Sequence, residues 1–322
     1  MNEPTQTLDN TTLRVAVLAG GESAEAEVSR RSAAEVHKAL TALGHNSSVI
    51  ELDRKCPATL MKLQPDVVFP ALHGPPGEDG TVQGLLEMLG LPYVGSGVRG
   101  SALAMDKAVA KSVFRSHNLP VSAERIVAST ADLETTVSEI EQAFGSQVAI
   151  KPLNTGSALG VQLLPKGGDL YAALNAALQF GDCLVEPFIA GKEITVGVLH
   201  TSTDLLAHPV IEIRTAANQW YDYKNRYTPG QSEHIVPADL APEVTTELQR
   251  IAVAAHSALG LRDLSRADFL VDATNNITLL EVNTLPGMTP TSLYPDGAGA
   301  LGLNFEKLID LLVRTAFARS TH

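Results

Sequence analysis

The segment LLEVNTLPGMTP, residues 279–290, places a carboxylate and an amide, Glu281 and Asn283, two residues apart inside an apolar run. Side chains alternate along a strand, so positions i and i+2 face the same way. Upstream, Asp268 lies in SRADFLVD, just before the turn DATNN. Antiparallel pairing across that turn brings Asp268 near Glu281 and Asn283. Two carboxylates and an amide oxygen suit a hard divalent cation, and Mg²⁺ completes its octahedron with water and phosphate oxygens. The alternative is an edge hairpin with solvated charges, against which the apolar intervening residues argue.

Such a site needs a phosphate grip. GxxxxGK[ST] is absent, and LAGGESAE lacks the GxGxxG spacing. AIKPLNTGSALGVQLL is the candidate: Lys151 leaves a strand, and Gly156 and Gly160 bracket a turn that returns as a second strand. Exposed N–H groups in such a hairpin can cover polyphosphate while Lys151 neutralises it; an ordinary glycine hairpin reads the same. Lys107 falls in the first turn of a helix, where the dipole favours acids, so it either meets an anionic partner or is simply solvated. In CLVEPFIAGKEITV, Glu186 follows one strand and Glu193 opens the next. That edge could hold adenine by backbone bonds and ribose through Glu193, or it is a charged interdomain linker. Residues 214–237 contain the only Trp and three of the six tyrosines without helical or strand periodicity. Loops this long are usually functional or disordered, and the aromatics argue for a closing lid.

The elements that must position these residues alternate. RVAVLA (14–19) reads as a buried strand, and EAEVSRRSAAEVHKALTALG as a helix stopped at Gly44. DVVFPAL (66–72) is a second buried strand, followed by the loop HGPPGEDG and a helix, turn and short strand through TVQGLLEMLGLPYVGSG. This alternation implies a parallel α/β unit, residues 1–105. Asp106 and Asp132 are N-caps for two helices of an α+β unit, 106–192, whose strands are QVAIKPL, GVQLL and CLVEPFI. The third unit, 193–322, has EITVGVLH and LLAHPVIEI, the 214–237 segment, a helix near 242–259, the RADFLVDATNNITLLEVN hairpin and a helix near 304–318. At 322 residues and 44% hydrophobic, the chain can fill two or three cores. Its net charge of −12 argues against a nucleic-acid or anionic-membrane surface. No apolar run is long enough to span a bilayer, and the N-terminus lacks the basic and apolar segments of a signal peptide. Cys56 and Cys183 form no CxxC, as expected of reduced, buried thiols in the cytoplasm.

GGESAEAEVS, HGPPGEDGTVQG, YVGSGVRGSALAMDK, IKPLNTGSALGV, YDYKNRY, RADF and EVNTLPGMTPTSL, in that order, resemble the D-alanine–D-alanine ligases of the ATP-grasp superfamily over nearly the whole chain. The resemblance implies an α/β protein with a parallel N-terminal domain and two α+β domains enclosing ATP. It implies ligation of two D-alanines through a D-alanyl phosphate for peptidoglycan synthesis. ATP and two Mg²⁺ ions (or Mn²⁺) would be the cofactors, in a cytoplasmic homodimer. Lys107, Lys151 and Arg226 would contact the ATP phosphates, Glu186 and Phe188 the adenine, and Glu193 the ribose. Asp268, Glu281 and Asn283 would hold the metal ions. Glu25 would take the first ammonium group, in a hydrogen-bonded set with Ser157 and Tyr227. His73 would lie near the substrates, and Ser292 would receive the second carboxylate. Arg266 and the Gly287 N–H would stabilise the tetrahedral oxyanion. The chain departs from the family pattern at three places. Pro75 stands where Arg is common, Ala158 where a second Ser is usual, and Asn225-Arg226-Tyr227 replaces Ala-Lys-Tyr. Arg226 keeps the charge but not the shape. The competing readings are another ATP-grasp carboxylate–amine ligase and a regulator that binds nucleotide or amino acid without turnover.

Overall fold

The computed structural model describes residues 11–201, 204–216, 220–221, 225–226, 228 and 230–319. Within them the chain forms three sheets. The first has strands β1 (Arg14–Ala19), β2 (Asn46–Glu51) and β3 (Val67–Pro70), all parallel, in the order β2-β1-β3. Its side chains alternate between two cores. Val15 and Val17 face the helices Ala26–Ala42 and Phe305–Ala318, while Ala16 and Leu18 meet Leu60 and Leu86 from the helices Cys56–Leu63 and Thr81–Met88. Coverage on both faces is what a parallel sheet requires. The last helix of the chain thus packs on the first sheet, tied there by His45 Nε2 to Asp310 Oδ1 at 2.9 Å.

The second sheet is antiparallel, β4 (Arg125–Val127), β5 (Val148–Pro152), β6 (Gln162–Leu164) and β7 (Cys183–Pro187), in the order β4-β7-β5-β6. Val148, Ile150, Cys183 and Val185 pack on the helices Leu133–Phe144 and Leu170–Ala177. Alternation therefore sends Ala149, Lys151, Leu184 and Glu186 to the opposite face, where they line a cavity. Asp132 caps its helix as the sequence predicts, its carboxylate accepting from Thr135 N at 3.0 Å.

The third sheet contains β8 (Lys192–His200), β9 (Leu205–Ala207), β10 (Ile211–Thr215), β11 (Ser232–Ile235), β12 (Leu264–Val271) and β13 (Ile277–Asn283). Its order is β11-β10-β8-β12-β13, with β9 on the edge of β8. The helix Pro242–Ala258 covers it, and so does Lys107–Ser116, whose Ala110 and Phe114 join this core. Asp106 caps the latter helix, accepting from Ala108 N and Val109 N at 3.0 Å.

Residues 214–237 are not irregular throughout. Arg214 and Thr215 end β10, and Ser232–Ile235 returns antiparallel to it. SEHI has a polar residue at three of its four positions, which hides the strand signal. The expected short strand near Tyr93 is reduced to a single bridge to Val68. Among the described residues, no helix is long and apolar enough to cross a membrane.

Candidate active site

β12 and β13 pair as the hairpin predicts, with Asp268 opposite Glu281 and Arg266 opposite Asn283. A register shift after Asp268 leaves Leu280 as the extra residue. Leu279 therefore stays in the core while Leu280 and Glu281 both reach a cavity, and Val282 returns to the core. The bulge is how an apolar run delivers a carboxylate.

Two cavities adjoin here. The larger, about 310 Å³, lies between the second and third sheets. Lys151, Glu186, Phe188 and Glu193 line it, as does Trp220. Lys151 Nζ donates to Glu186 Oε2 at 2.7 Å, while Lys111 Nζ and Ser122 Oγ both donate to Oε1. Burial pushes the Glu186 carboxyl up, but Lys151 and Lys111 outweigh it and hold the group at about 2. Burial likewise lowers Lys151, and Glu186 more than restores it. Burial raises Glu193, whose Oε1 accepts from Tyr221 N at 3.3 Å. No local pattern in the sequence marks Lys111, because its partner Glu186 lies 75 residues away.

The smaller cavity, about 100 Å³, is lined by Glu25, His73, Arg266, Asn283, Gly287 and Ser292, among others. Glu25 is buried at the start of the helix Ala26–Ala42 and accepts from Ser157 Oγ. A Cβ on Gly156 would stand 2.8 Å from Glu25 Oε2, so any side chain there would displace the Glu25 carboxylate. A Cβ on Gly287 would similarly stand 2.8 Å from Ser292 Oγ. Ser292 precedes the helix Leu293–Ala300, and its Oγ accepts from Thr289 N at 3.0 Å. That helix N-terminus is suited to a carboxylate. His73, buried beside Ser32, is held below its usual range by burial. Tyr227 lies outside the described residues. Pro75 is exposed at the start of the loop, and Ala158, like Ser157, takes a positive φ, 59° against 47°.

Lys107, Thr155, Ser157, Tyr221, Arg226 and Glu281 line both cavities and so mark their junction. Lys107 Nζ donates to Thr155 O at 2.7 Å and lies 3.8 Å from Glu281 Oε2; burial lowers its pKa. Arg226 donates to Tyr221 O at 3.0 Å and lies over the Tyr221 ring. Asp268 does not line either cavity. Arg266 takes both its oxygens, at 2.9 and 2.8 Å, and Thr195 Oγ1 donates to Oδ1 at 2.6 Å. Burial would lift the Asp268 carboxyl, and Arg266 keeps it low. Asn283 Oδ1 is buried without a hydrogen-bond partner, an open acceptor that a cation would satisfy. Among the described residues no three His, Cys, Asp or Glu side chains form a metal cluster, so a hard cation here would draw on the amide oxygen and on phosphate.

Glu78 lies in the loop HGPPGEDG, whose sequence gives it no role. Its carboxyl lines the smaller cavity, accepts from Gly74 N at 2.6 Å, and is raised to about 8, chiefly by burial and then by Glu25. A raised folded pKa gives stability that is complete below the unfolded value and is lost as pH climbs toward the folded one. Wild-type protein should therefore lose melting temperature between about pH 5 and pH 8 more steeply than Glu78→Gln, which keeps the acceptor without titrating. Parallel melting curves would contradict the assignment.

Three sheets with a deep cavity between the two antiparallel ones define an ATP-grasp architecture. The chain matches the family models described as D-ala D-ala ligase N-terminus, over residues 55–96, and D-ala D-ala ligase C-terminus, over 113–314. It is 43% identical over 310 residues to the D-alanine–D-alanine ligase of Halalkalibacterium halodurans, covering 95% of this chain and 100% of that one. Against the ligase of Geobacter sulfurreducens the figures are 44% over 307 residues, 95% and 94%. The fold superposes on the D-alanine–D-alanine ligase of Coxiella burnetii with TM-score 0.82 at 28% identity, covering 96% and 95% of the two chains. On the Bacillus anthracis ligase complexed with ATP the TM-score is 0.81 at 28% identity, covering 96% and 99%. The chain belongs to the D-alanine–D-alanine ligase family and is an ATP-dependent ligase.

Proposed function

We propose that this chain joins two D-alanines to D-alanyl-D-alanine at the expense of ATP, as a step toward peptidoglycan. The observation that carries the reading is the junction of the two cavities at Lys107, Arg226 and Glu281. It supports a γ-phosphate reached from one side by the nucleotide and from the other by an amino acid. Glu186, Phe188 and Glu193 bind adenosine in the larger cavity, and Lys107, Lys151 and Arg226 offset the charge of the phosphates. In the smaller cavity Glu25 holds the first ammonium, with Ser157 and Tyr227 completing the set. A carboxylate oxygen of this D-alanine attacks the γ-phosphorus, and ADP leaves. The amine of the second D-alanine, whose carboxylate sits at Ser292 near His73, attacks the acyl carbon. Arg266 and the Gly287 N–H stabilise the oxyanion, and phosphate departs as the amide forms. Glu281 and Asn283, with Asp268 behind them, would hold Mg²⁺, or Mn²⁺ in its place, and the cation would supply charge neutralisation on the phosphates. The 214–237 segment closes as the lid that keeps water from the acyl phosphate.

We further infer a cytoplasmic homodimer, as the family resemblance implies. The units 1–105, 106–192 and 193–322 remain the proposed domains, with the cavities between them.

The test is ADP release coupled to D-alanine, with the dipeptide identified by mass spectrometry. ADP release that ignores D-alanine but responds to another amino acid or acid would favour a different ATP-grasp ligase. No release with any acceptor would favour a regulator.

A further inference from the structure

The strand β11 returns from the lid segment and pairs with β10, His234 lying opposite Ile213. His234 is not part of the site derived above. Its Nδ1 donates to Asp296 Oδ2 at 2.6 Å. Asp296 lies in the first turn of the helix Leu293–Ala300, one turn beyond Ser292, and its N–H donates to Ser292 O at 3.3 Å. Beside this pair Ile211, Ile213, Tyr221 and Leu293 form a small buried cluster with Val236 against it. The strands at the base of the lid are therefore packed directly on the first turn of the helix that follows Ser292.

With the acceptor carboxylate bound, Asp296 and that anion are two like charges at one helix N-terminus. Ser292 makes no side-chain cap bond to that helix, and Ser292 and Leu293 line the cavity where the acceptor carboxylate is placed. A carboxylate in the first turn competes with a bound anion for the same dipole. His234 meets that carboxylate and draws it toward β11.

We propose that His234 is a positioning residue for the acceptor D-alanine: by engaging Asp296 it removes a competing carboxylate from the helix N-terminus and joins the lid base to the acceptor subsite. This rests on the ligase reading and on Ser292 as the carboxylate site.

His234→Leu should raise KM for the acceptor D-alanine about tenfold, the upper range for a charge at a helix terminus, while KM for ATP and for the first D-alanine stay within about twofold. Adding Asp296→Asn to His234→Leu removes the uncompensated carboxylate and should bring the acceptor KM back to within about threefold of wild type. A double variant no better than the single one would overturn the proposal, since His234 would then be only a structural contact. So would a uniform rise in all three KM values, or no change in any. If His234→Leu is too unstable to assay, Asp296→Asn alone decides: an acceptor KM at or below the wild-type value supports the proposal, and a rise of tenfold overturns it. Failure of wild-type protein to release ADP with D-alanine would refute the ligase reading instead, so the two outcomes are distinct.

Discussion

Glu281→Ala is expected to cut kcat by about a thousandfold at ordinary Mg²⁺, in the range of losses seen when a preorganised charge at the reacting group is removed. Glu281 lines both cavities, lies 3.8 Å from Lys107 Nζ and stands opposite Asp268. Asp268 already gives both oxygens to Arg266. Without Glu281 the cation would keep only the Asn283 oxygen as an open protein donor, and anionic carboxylate and phosphate would meet with less compensation. Because the Glu281 side chain is partly exposed, its loss should change unfolding free energy by no more than about 1 kcal/mol. Steady-state ADP release across a range of Mg²⁺ is the measurement. Activity close to wild type at ordinary Mg²⁺ would remove Glu281 from the metal site.

Arg266→Met should damage both stability and turnover. Arg266 is buried, and the guanidinium and the Asp268 carboxylate meet through two hydrogen bonds. Breaking a buried pair leaves an uncompensated charge and costs about 3–5 kcal/mol. If Arg266 is the oxyanion donor proposed above, its loss also costs about a hundredfold to a thousandfold in kcat. The sign with pH follows from Asp268, whose carboxyl Arg266 holds low despite burial. A depressed folded pKa gives stability that is present above the unfolded value and lost as pH falls through the folded one. The deficit of the variant in urea unfolding should therefore be greatest near neutrality and narrow under acid. A deficit that is constant with pH, or full kcat in the variant, would contradict this.

The parts of the site that lie in period-2 strands were readable from the sequence. Glu281 and Asn283 share a face because they lie two positions apart on one strand, and Asp268 pairs with Glu281 because a short turn fixes the register. Lys151 and Glu186 were separately visible, but their contact was not, since it joins strands 35 residues apart. Lys111 was passed over because a lysine on a helix usually faces water, and nothing local announces that this one is buried against Glu186. The strand NSSVIE has one fully buried residue, Ile50, so its alternation carries little signal. The helices Val98–Met105 and Leu293–Ala300 contain glycines that weaken any periodic reading. The bulge at Leu280 was hidden because an extra residue in one strand is defined only against its partner. The roles of Glu25, Ser157 and Ser292 came from the resemblance, as their neighbours in space are far away in sequence.

The helix Phe305–Ala318 completes the core on one face of β1. Arg314 reaches back to Thr11 O at 3.3 Å, and Asp310 to His45. Synthesis runs from the N-terminus, so β1 is made well before the helix that covers it. Until residue 318 clears the ribosome, Leu13, Val15 and Val17 present an apolar sheet face with half its covering absent. The N-terminal unit therefore cannot mature in order of translation. It must wait for the helix Phe305–Ala318, and that interval is when a chaperone has most to offer the nascent polypeptide.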